Sequence, residues 1–162
     1  MTMKKLRRVK QPIDGKDIPF VVFKSLKQAY RVMKQWKNLL GLNDWLIQLA
    51  IKPSDSLSEG FAGQVYCHKT EKAAMITLSE YRPDIEEGCI DRFVHEFLLV
   101  HELLHCKSPV FYNTDEPKTL EREIYNQHMH TLLNDLARSL ILAKYPKISI
   151  EWFKNFQERS DS

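Results

Sequence analysis

The stretch His101-Glu102-Leu103-Leu104-His105 is the motif from which we predict the fold and the functional site. Residues four apart on an α-helix lie one above the other, so both histidines can place a ring nitrogen about 2.0–2.1 Å from one metal ion. Glu102 then lies beside the ion without binding it, where it can accept a proton from a metal-activated water. The pattern therefore predicts a metal site with a general base, as metal-assisted peptide hydrolysis requires.

The residues around this motif are apolar on nearly all sides of the predicted helix. They are Phe93, Val94, Phe97, Leu98, Leu99, Val100, Leu103 and Leu104. Polar side chains in such a buried helix need partners, because an unpaired buried polar group costs about 1–3 kcal/mol and an unpaired charge costs more. A metal ion would supply that partner, and the alternative is a metal-free polar cluster.

Length and composition predict one domain. The chain has 162 residues, of which 43% are hydrophobic, enough for one sizeable core and few for two. Much of the net charge of +3 comes from a basic stretch at the N-terminus, which we expect to be a solvated tail. We therefore divide the chain into a basic N-terminal segment, residues 1–24, and a single domain, residues 25–162.

The composition also indicates a compartment. No apolar run follows the basic start, so we expect no secretory signal peptide, and no apolar stretch is long enough to span a membrane. The cysteines are three in number and lack a Cys-x-x-Cys spacing, which argues against a disulfide framework and a cysteine zinc cluster. We expect a cytoplasmic protein with no membrane partner. Nucleic acid is not an expected partner, because the chain has no helix-turn-helix or zinc-finger pattern.

The helix signals are clear at most boundaries. Ser25 with Gln28 forms a capping box for a first amphipathic helix that ends at Gly41. Asp84 is the predicted start of the central helix, which carries the motif and stops before Ser108. A further helix runs from about residue 119 to 144, and a last short helix follows Ser149.

Three strands are predicted between the first two helices. Residues 45–51 alternate apolar and polar side chains, and residues 61–68 and 73–79 are short β-compatible runs joined by a charged link. The last two runs are typical of a hairpin. The expected fold class is α+β, with a small, mainly antiparallel three-stranded sheet.

This order of elements, with the motif on the central helix, resembles the minimal zincin metallopeptidases of the gluzincin-like type, including phage- and prophage-type metallopeptidases. The likeness covers about residues 25–144. It implies zinc as the cofactor, a peptide or protein as the substrate, and Glu102 as the general base. It also implies that the strand at residues 73–79 lines the cleft and pairs with an extended peptide.

The resemblance further implies a third metal ligand on the helix that follows the motif. A helical wheel drawn on the apolar residues of that helix favours Glu121 slightly as the inward residue. In similar small peptidases, however, a Glu-x-Glu pair opens this helix and its second member is the ligand, which here is Glu123. Glu123 also shares a face with His130. We therefore predict that the two motif histidines and Glu123 bind the metal, with Glu121 and His130 as alternatives.

Neighbouring polar residues receive simpler interpretations. His95-Glu96 repeats the first half of the motif, but Leu99 stands where a second histidine would be needed, so the pair is predicted to be polar residues of the surface or core. Cys106 follows the second motif histidine and is predicted to be a small buried residue rather than a ligand.

Two functions remain open at this point. The first is a zinc-dependent metallopeptidase, and the second is a catalytically inactive zincin-scaffold protein that binds a protein partner and uses zinc as a structural element. Structural zinc sites have four protein ligands and no open position. This chain offers two good ligands, one further candidate and a base in the right place, which favours the enzyme.

Overall fold

The computed structural model describes residues 13–57, 62–80, 94–108 and 119–149. These ranges contain helices and a three-stranded sheet, so the predicted α+β class is confirmed. The helices are α1 (Leu26–Leu40), α2 (His95–Lys107) and α3 (Leu120–Lys144), and a 3₁₀ helix spans Ser54–Ser56. The strands are β1 (Leu46–Lys52), β2 (Gly63–His68) and β3 (Ala73–Ser79).

The predicted boundaries of α1 and α3 are confirmed. The Ser25 side chain accepts a hydrogen bond from the Gln28 backbone, and Gly41 ends the helix with a φ of 66°, a left-handed conformation that glycine adopts without steric cost. Thr119 caps α3 in the same way, by accepting from the backbone N–H of Arg122 at 3.3 Å. Both helices therefore begin where a side-chain oxygen satisfies one of the free N–H groups of the first turn.

The predicted start of α2 is wrong. Val94 precedes the helix in an extended conformation (φ −97°, ψ 104°), so α2 begins at His95 and cannot run continuously from Asp84. Asp84 itself lies outside the described residues, as does the short helix predicted after Ser149. The C-terminal end agrees with the prediction, because Ser108 is the extended residue that follows the last turn.

The sheet is mixed, whereas a mainly antiparallel sheet was predicted. Its order is β1-β3-β2, and β2 and β3 pair antiparallel with Gly63 opposite Leu78, which confirms the predicted hairpin. β1 and β3, however, pair in parallel, with Leu46 opposite Ala73. The chain leaves β1, forms β2 at the far side, and returns β3 to the centre. Alternation along a strand reports which face is buried, but it does not report which strand lies next to which.

α1 and α2 pack on one face of the sheet and α3 packs against α2, so α2 lies at the centre of the core. The inward side chains of the sheet include Ile47, Leu49, Ile76 and Leu78, all buried. Every residue from His95 to Cys106 is buried as well, because α2 contacts α1, α3 and the sheet. The prediction of a buried central helix is confirmed.

His95 and Glu96 fix the start of this helix. The Glu96 carboxylate, fully buried, accepts hydrogen bonds from the Phe20 backbone (2.8 Å), Trp36 Nε1 (2.8 Å), Lys144 Nζ (2.7 Å) and the Tyr145 hydroxyl (2.9 Å). Phe20 belongs to the predicted N-terminal segment, so the described part of that segment packs against the domain. Glu96 therefore ties together the N-terminal segment, α1 and the end of α3.

His95 makes a similar connection with its two ring nitrogens. Its Nδ1 accepts from the Phe23 backbone N–H at 3.0 Å, and its Nε2 lies 3.0 Å from the carbonyl oxygen of Ser79. These contacts correspond to a neutral imidazole that donates from Nε2, and desolvation holds its pKa below the ordinary value. Of the two predicted places for His95-Glu96, surface or core, the core is therefore correct.

Candidate metal centre

The two motif histidines meet on one face of α2. Nε2 of His101 and Nε2 of His105 lie 3.1 Å apart, and both residues are buried. Two nitrogens that bind one tetrahedral zinc ion at 2.0–2.1 Å are about 3.4 Å from each other. The pair therefore has nearly the spacing that a shared metal ion requires.

A third imidazole comes from α3. The His130 ring stacks on the His101 ring at a centroid distance of 5.6 Å and meets the His105 ring edge-on at 4.9 Å. One donor atom from each of the three residues lies within 4.8 Å of the other two. A modest rotation of the side chains would bring all three donors onto one ion, and imidazole is a preferred zinc ligand.

The predicted ligand Glu123 is not part of this group. Glu123 and Glu121 are both exposed near the start of α3, and His130 stands where the acidic ligand was expected. Seven residues separate Glu123 from His130, which places them on nearly the same face of the helix but about 10 Å apart along its axis. The alternative that the sequence left open, His130, is therefore the residue that the fold brings to the motif histidines.

Burial keeps the motif imidazoles neutral. Desolvation, together with the neighbouring His130, lowers the pKa of His101 to about 4, and a hydrogen bond with the Asn134 side chain only partly offsets this effect. Desolvation and the charges of His101, His130 and Lys69 lower the pKa of His105 to about 3. Neutral imidazole is the form that binds a metal, so protons would not compete for these two ligands near neutral pH.

One nitrogen of this pair is conspicuous. Nδ1 of His101 is buried, and the described residues offer it no hydrogen-bond partner. Buried polar atoms are nearly always paired, so an unpaired one calls for an explanation such as a water or an ion outside the polypeptide. The three imidazoles thus fit a metal ion by their chemistry and spacing, whereas Nδ1 of His101 is not one of the two nitrogens that lie 3.1 Å apart and needs a partner of its own, such as a water.

Glu102 lies between α2 and the edge strand β2. Desolvation raises its pKa to about 8, with a smaller contribution from Cys67. A Cβ atom at Gly63 would lie only 2.6 Å from Glu102 Oε1, so any other residue at this position would require the carboxyl group to shift. The prediction from sequence did not single out Gly63, although a glycine inside a strand is a known signal of such an approach.

β3, the strand predicted to pair with a peptide substrate, is not an edge strand of the sheet. β3 is hydrogen-bonded to β1 on one side and to β2 on the other, so the prediction that residues 73–79 pair with an extended peptide is wrong. β2 has one unpaired edge in the described sheet, and it is the strand that covers Glu102.

Two cysteines beside the centre were also unexpected. Sγ of Cys67 on β2 lies 3.4 Å from Sγ of Cys106 on α2. The hydrogen bond between them, helped by the charge of Lys69, holds the pKa of Cys67 below its ordinary value, and the same hydrogen bond together with burial raises the pKa of Cys106. Cys106 is buried, as predicted. Its partner is 39 residues away in sequence, so no local sequence pattern predicts the contact.

Comparison of the sequence with models of protein families and with curated proteins, and of the fold with solved structures, gives no match. Among the described residues, no helix is both long and apolar enough to cross a membrane. The case for a function therefore comes from the geometry around His101, Glu102, His105 and His130.

Proposed function

We propose that this protein is a zinc-dependent metallopeptidase in which His101, His105 and His130 hold the metal and Glu102 is the general base. The observation that carries the proposal is the convergence of three imidazoles, two of them from the helix that also carries the buried Glu102. His130 takes the place that the resemblance to gluzincin-like peptidases gives to an acidic residue.

The three histidines would serve as neutral ligands that position the ion and leave one place of a tetrahedron open. Zinc bound in this way lowers the pKa of water to about 7 and polarises a carbonyl group. A structural zinc site would close the tetrahedron with a fourth protein ligand, and the described residues contribute three to this group.

Glu102 would be the group that accepts and transfers the proton of the attacking water. Its burial keeps it protonated at neutral pH without a cation, and a divalent charge nearby favours the carboxylate. The carboxylate could then take a proton from the attacking water and deliver it to the leaving amine, because a raised pKa brings a glutamate close to the operating pH. Gly63 leaves the space in which the carboxyl group sits under β2.

The first experiment measures zinc affinity by competition with a chromophoric chelator. Alanine in place of His101, His105 or His130 should weaken binding by at least about tenfold, judged against the 10–100-fold typical of changes around a metal site. His128→Ala is the matched control, because His128 is exposed on the same helix. A protein that takes up no zinc, or a His130→Ala variant that binds like the parent while Glu123→Ala does not, would contradict the ligand set.

The second experiment tests catalysis with a peptide library analysed by mass spectrometry. Glu102→Gln should keep the fold and still bind zinc, though more weakly because the carboxylate charge is lost; at saturating zinc, hydrolysis should fall by about 10²–10⁴-fold, as expected for loss of a general base. Equal hydrolysis by the variant would exclude Glu102 from that role. Zinc binding without hydrolysis of any library member would favour the scaffold function over the enzyme.

A further inference from the structure

Two thiols face each other across the contact between β2 and α2. The Sγ atoms of Cys67 and Cys106 are 3.4 Å apart. Cys106 is buried in α2, whereas Cys67 on β2 is partly exposed to solvent. The pair lies next to the candidate metal centre, because Cys106 directly follows His105, but the three-histidine group does not include either cysteine.

We propose that Cys67 and Cys106 form a reversible oxidation site, at which a hydroperoxide converts the two thiols into a disulfide that joins β2 to α2. With hydrogen peroxide, the Cys67 sulfur attacks one oxygen, the O–O bond breaks, and a sulfenic acid and one water form. The Cys106 sulfur then attacks the sulfenic sulfur, the S–O bond breaks, and a second water leaves. Each sulfur loses one electron, and the two peroxide oxygens gain them.

Exposure and geometry assign the two roles. Peroxide can reach the partly exposed Cys67 from solvent, while the buried Cys106 is held in contact to resolve the sulfenic acid. A disulfide needs an S–S length of about 2.05 Å, so the sulfurs must approach each other by about 1.3 Å. Because they belong to two different elements, the bond would draw β2 towards α2.

This movement would reach the metal ligands. Cys106 is bonded through one peptide group to His105, and its Sγ lies 3.8 Å from the backbone oxygen of Glu102. The bond would therefore shift the backbone of a ligand and of the base. If the proposed metal site holds zinc, oxidation of the two cysteines should weaken zinc binding by about tenfold. Changes to residues next to a metal ligand typically weaken binding 10–100-fold, so this is the lower end of that range.

The test uses the full chain with Cys89→Ser, so that only the pair can react; Cys89 lies outside the described residues. After peroxide treatment and denaturation, N-ethylmaleimide should label neither Cys67 nor Cys106, and dithiothreitol should restore both. Digestion should give a peptide linked through these two residues. In Cys106→Ser, dimedone should trap a sulfenic acid at Cys67, and in Cys67→Ser the Cys106 thiol should survive the same treatment.

Two results would overturn the proposal. The oxidation site would be excluded if both thiols still react with N-ethylmaleimide after peroxide treatment. It would also be excluded if the disulfide forms between two chains. An oxidised protein with unchanged zinc affinity would exclude its link to the metal centre, whereas weaker binding that dithiothreitol reverses would support it. If the reduced protein binds no zinc, the proposed metal site fails, and the labelling experiment still decides the disulfide.

Discussion

Zinc binding at pH 6 should release close to one proton from Glu102. Burial raises the pKa of this carboxyl to about 8, so at pH 6 the metal-free protein keeps it almost fully protonated. A divalent cation beside it favours the carboxylate, and the proton leaves as the ion binds. Water on zinc ionises near pH 7 and contributes little at this pH.

The histidines should contribute far fewer protons to this release than solvent-exposed histidine ligands would. An ordinary histidine, with a pKa of about 6.5, is about three-quarters protonated at pH 6, so three of them would release more than two protons on binding. Because burial lowers the pKa values of His101 and His105 to about 4 and 3, each is already neutral, and together they should release about 0.01 protons. Desolvation lowers the pKa of His130 as well.

Titration calorimetry in buffers of different ionisation enthalpy measures the number of protons released. The parent and Glu102→Gln should differ by about one proton at pH 6, and His128→Ala should match the parent. If Glu102→Gln released as many protons as the parent, the buried acid beside the metal would be refuted. A release of two or more protons by Glu102→Gln would show that the histidines are not the buried, neutral ligands described above.

Further predictions test stability and the approach of β2. In metal-free protein the free energy of unfolding should fall by about 1.6 kcal/mol from pH 6.5 to 8, because the folded state keeps the Glu102 proton that the unfolded chain, with a pKa near 4.5, has lost. Urea denaturation of Glu102→Gln should show no such fall. Glu96→Ala should destabilise the fold by about 3–5 kcal/mol, since it leaves Lys144 and three other donors without their acceptor, whereas the exposed Asp135→Asn should change stability by less than about 0.5 kcal/mol. Gly63→Ala should lower peptide hydrolysis by about 100-fold, because the added Cβ would displace the Glu102 carboxyl. Gln64→Ala on the same strand is the control and should be as active as the parent. Equal activity of the two variants would contradict the close approach of β2 to Glu102.

His130, rather than Glu123, lies next to the motif histidines because α3 turns inward a different face from the one that the sequence indicated. The apolar residues used to orient α3 included Tyr125, Leu132 and Leu136, all of which are exposed in the structure. The stripe that is buried runs through Leu133, Ala137 and Ile141. A helix with apolar side chains on two faces does not reveal which face is inside, and the small Ala137 counted for little in the prediction. Counting back from the buried stripe leads to His130, three residues before Leu133.

Local signals, by contrast, predicted most boundaries correctly. The cap at Ser25, the glycine at the end of α1 and the hairpin between β2 and β3 each depend on a few adjacent residues. The parallel pairing of β1 with β3, the contact of Cys67 with Cys106 and the space beside Gly63 depend on residues far apart in the chain. Their energies come from packing that one sequence does not display, so they could be found only in the folded protein.

The strongest argument for a metal compares two His-Glu pairs on the same helix. At His95-Glu96 the protein itself supplies the partners: both ring nitrogens of His95 are hydrogen-bonded, and Glu96 Oε1 lies 2.7 Å from Lys144 Nζ. At His101-Glu102, one turn and a half further on, two imidazole nitrogens face each other and a third is left without a partner among the described residues. Glu102, equally buried, is held protonated instead of paired with a cation. Burying polar groups without partners costs about 1–3 kcal/mol each, and the first pair shows that this fold can satisfy them. A divalent ion bound by the two facing nitrogens would favour the carboxylate form of Glu102, so it would supply the positive charge there that Lys144 supplies to Glu96.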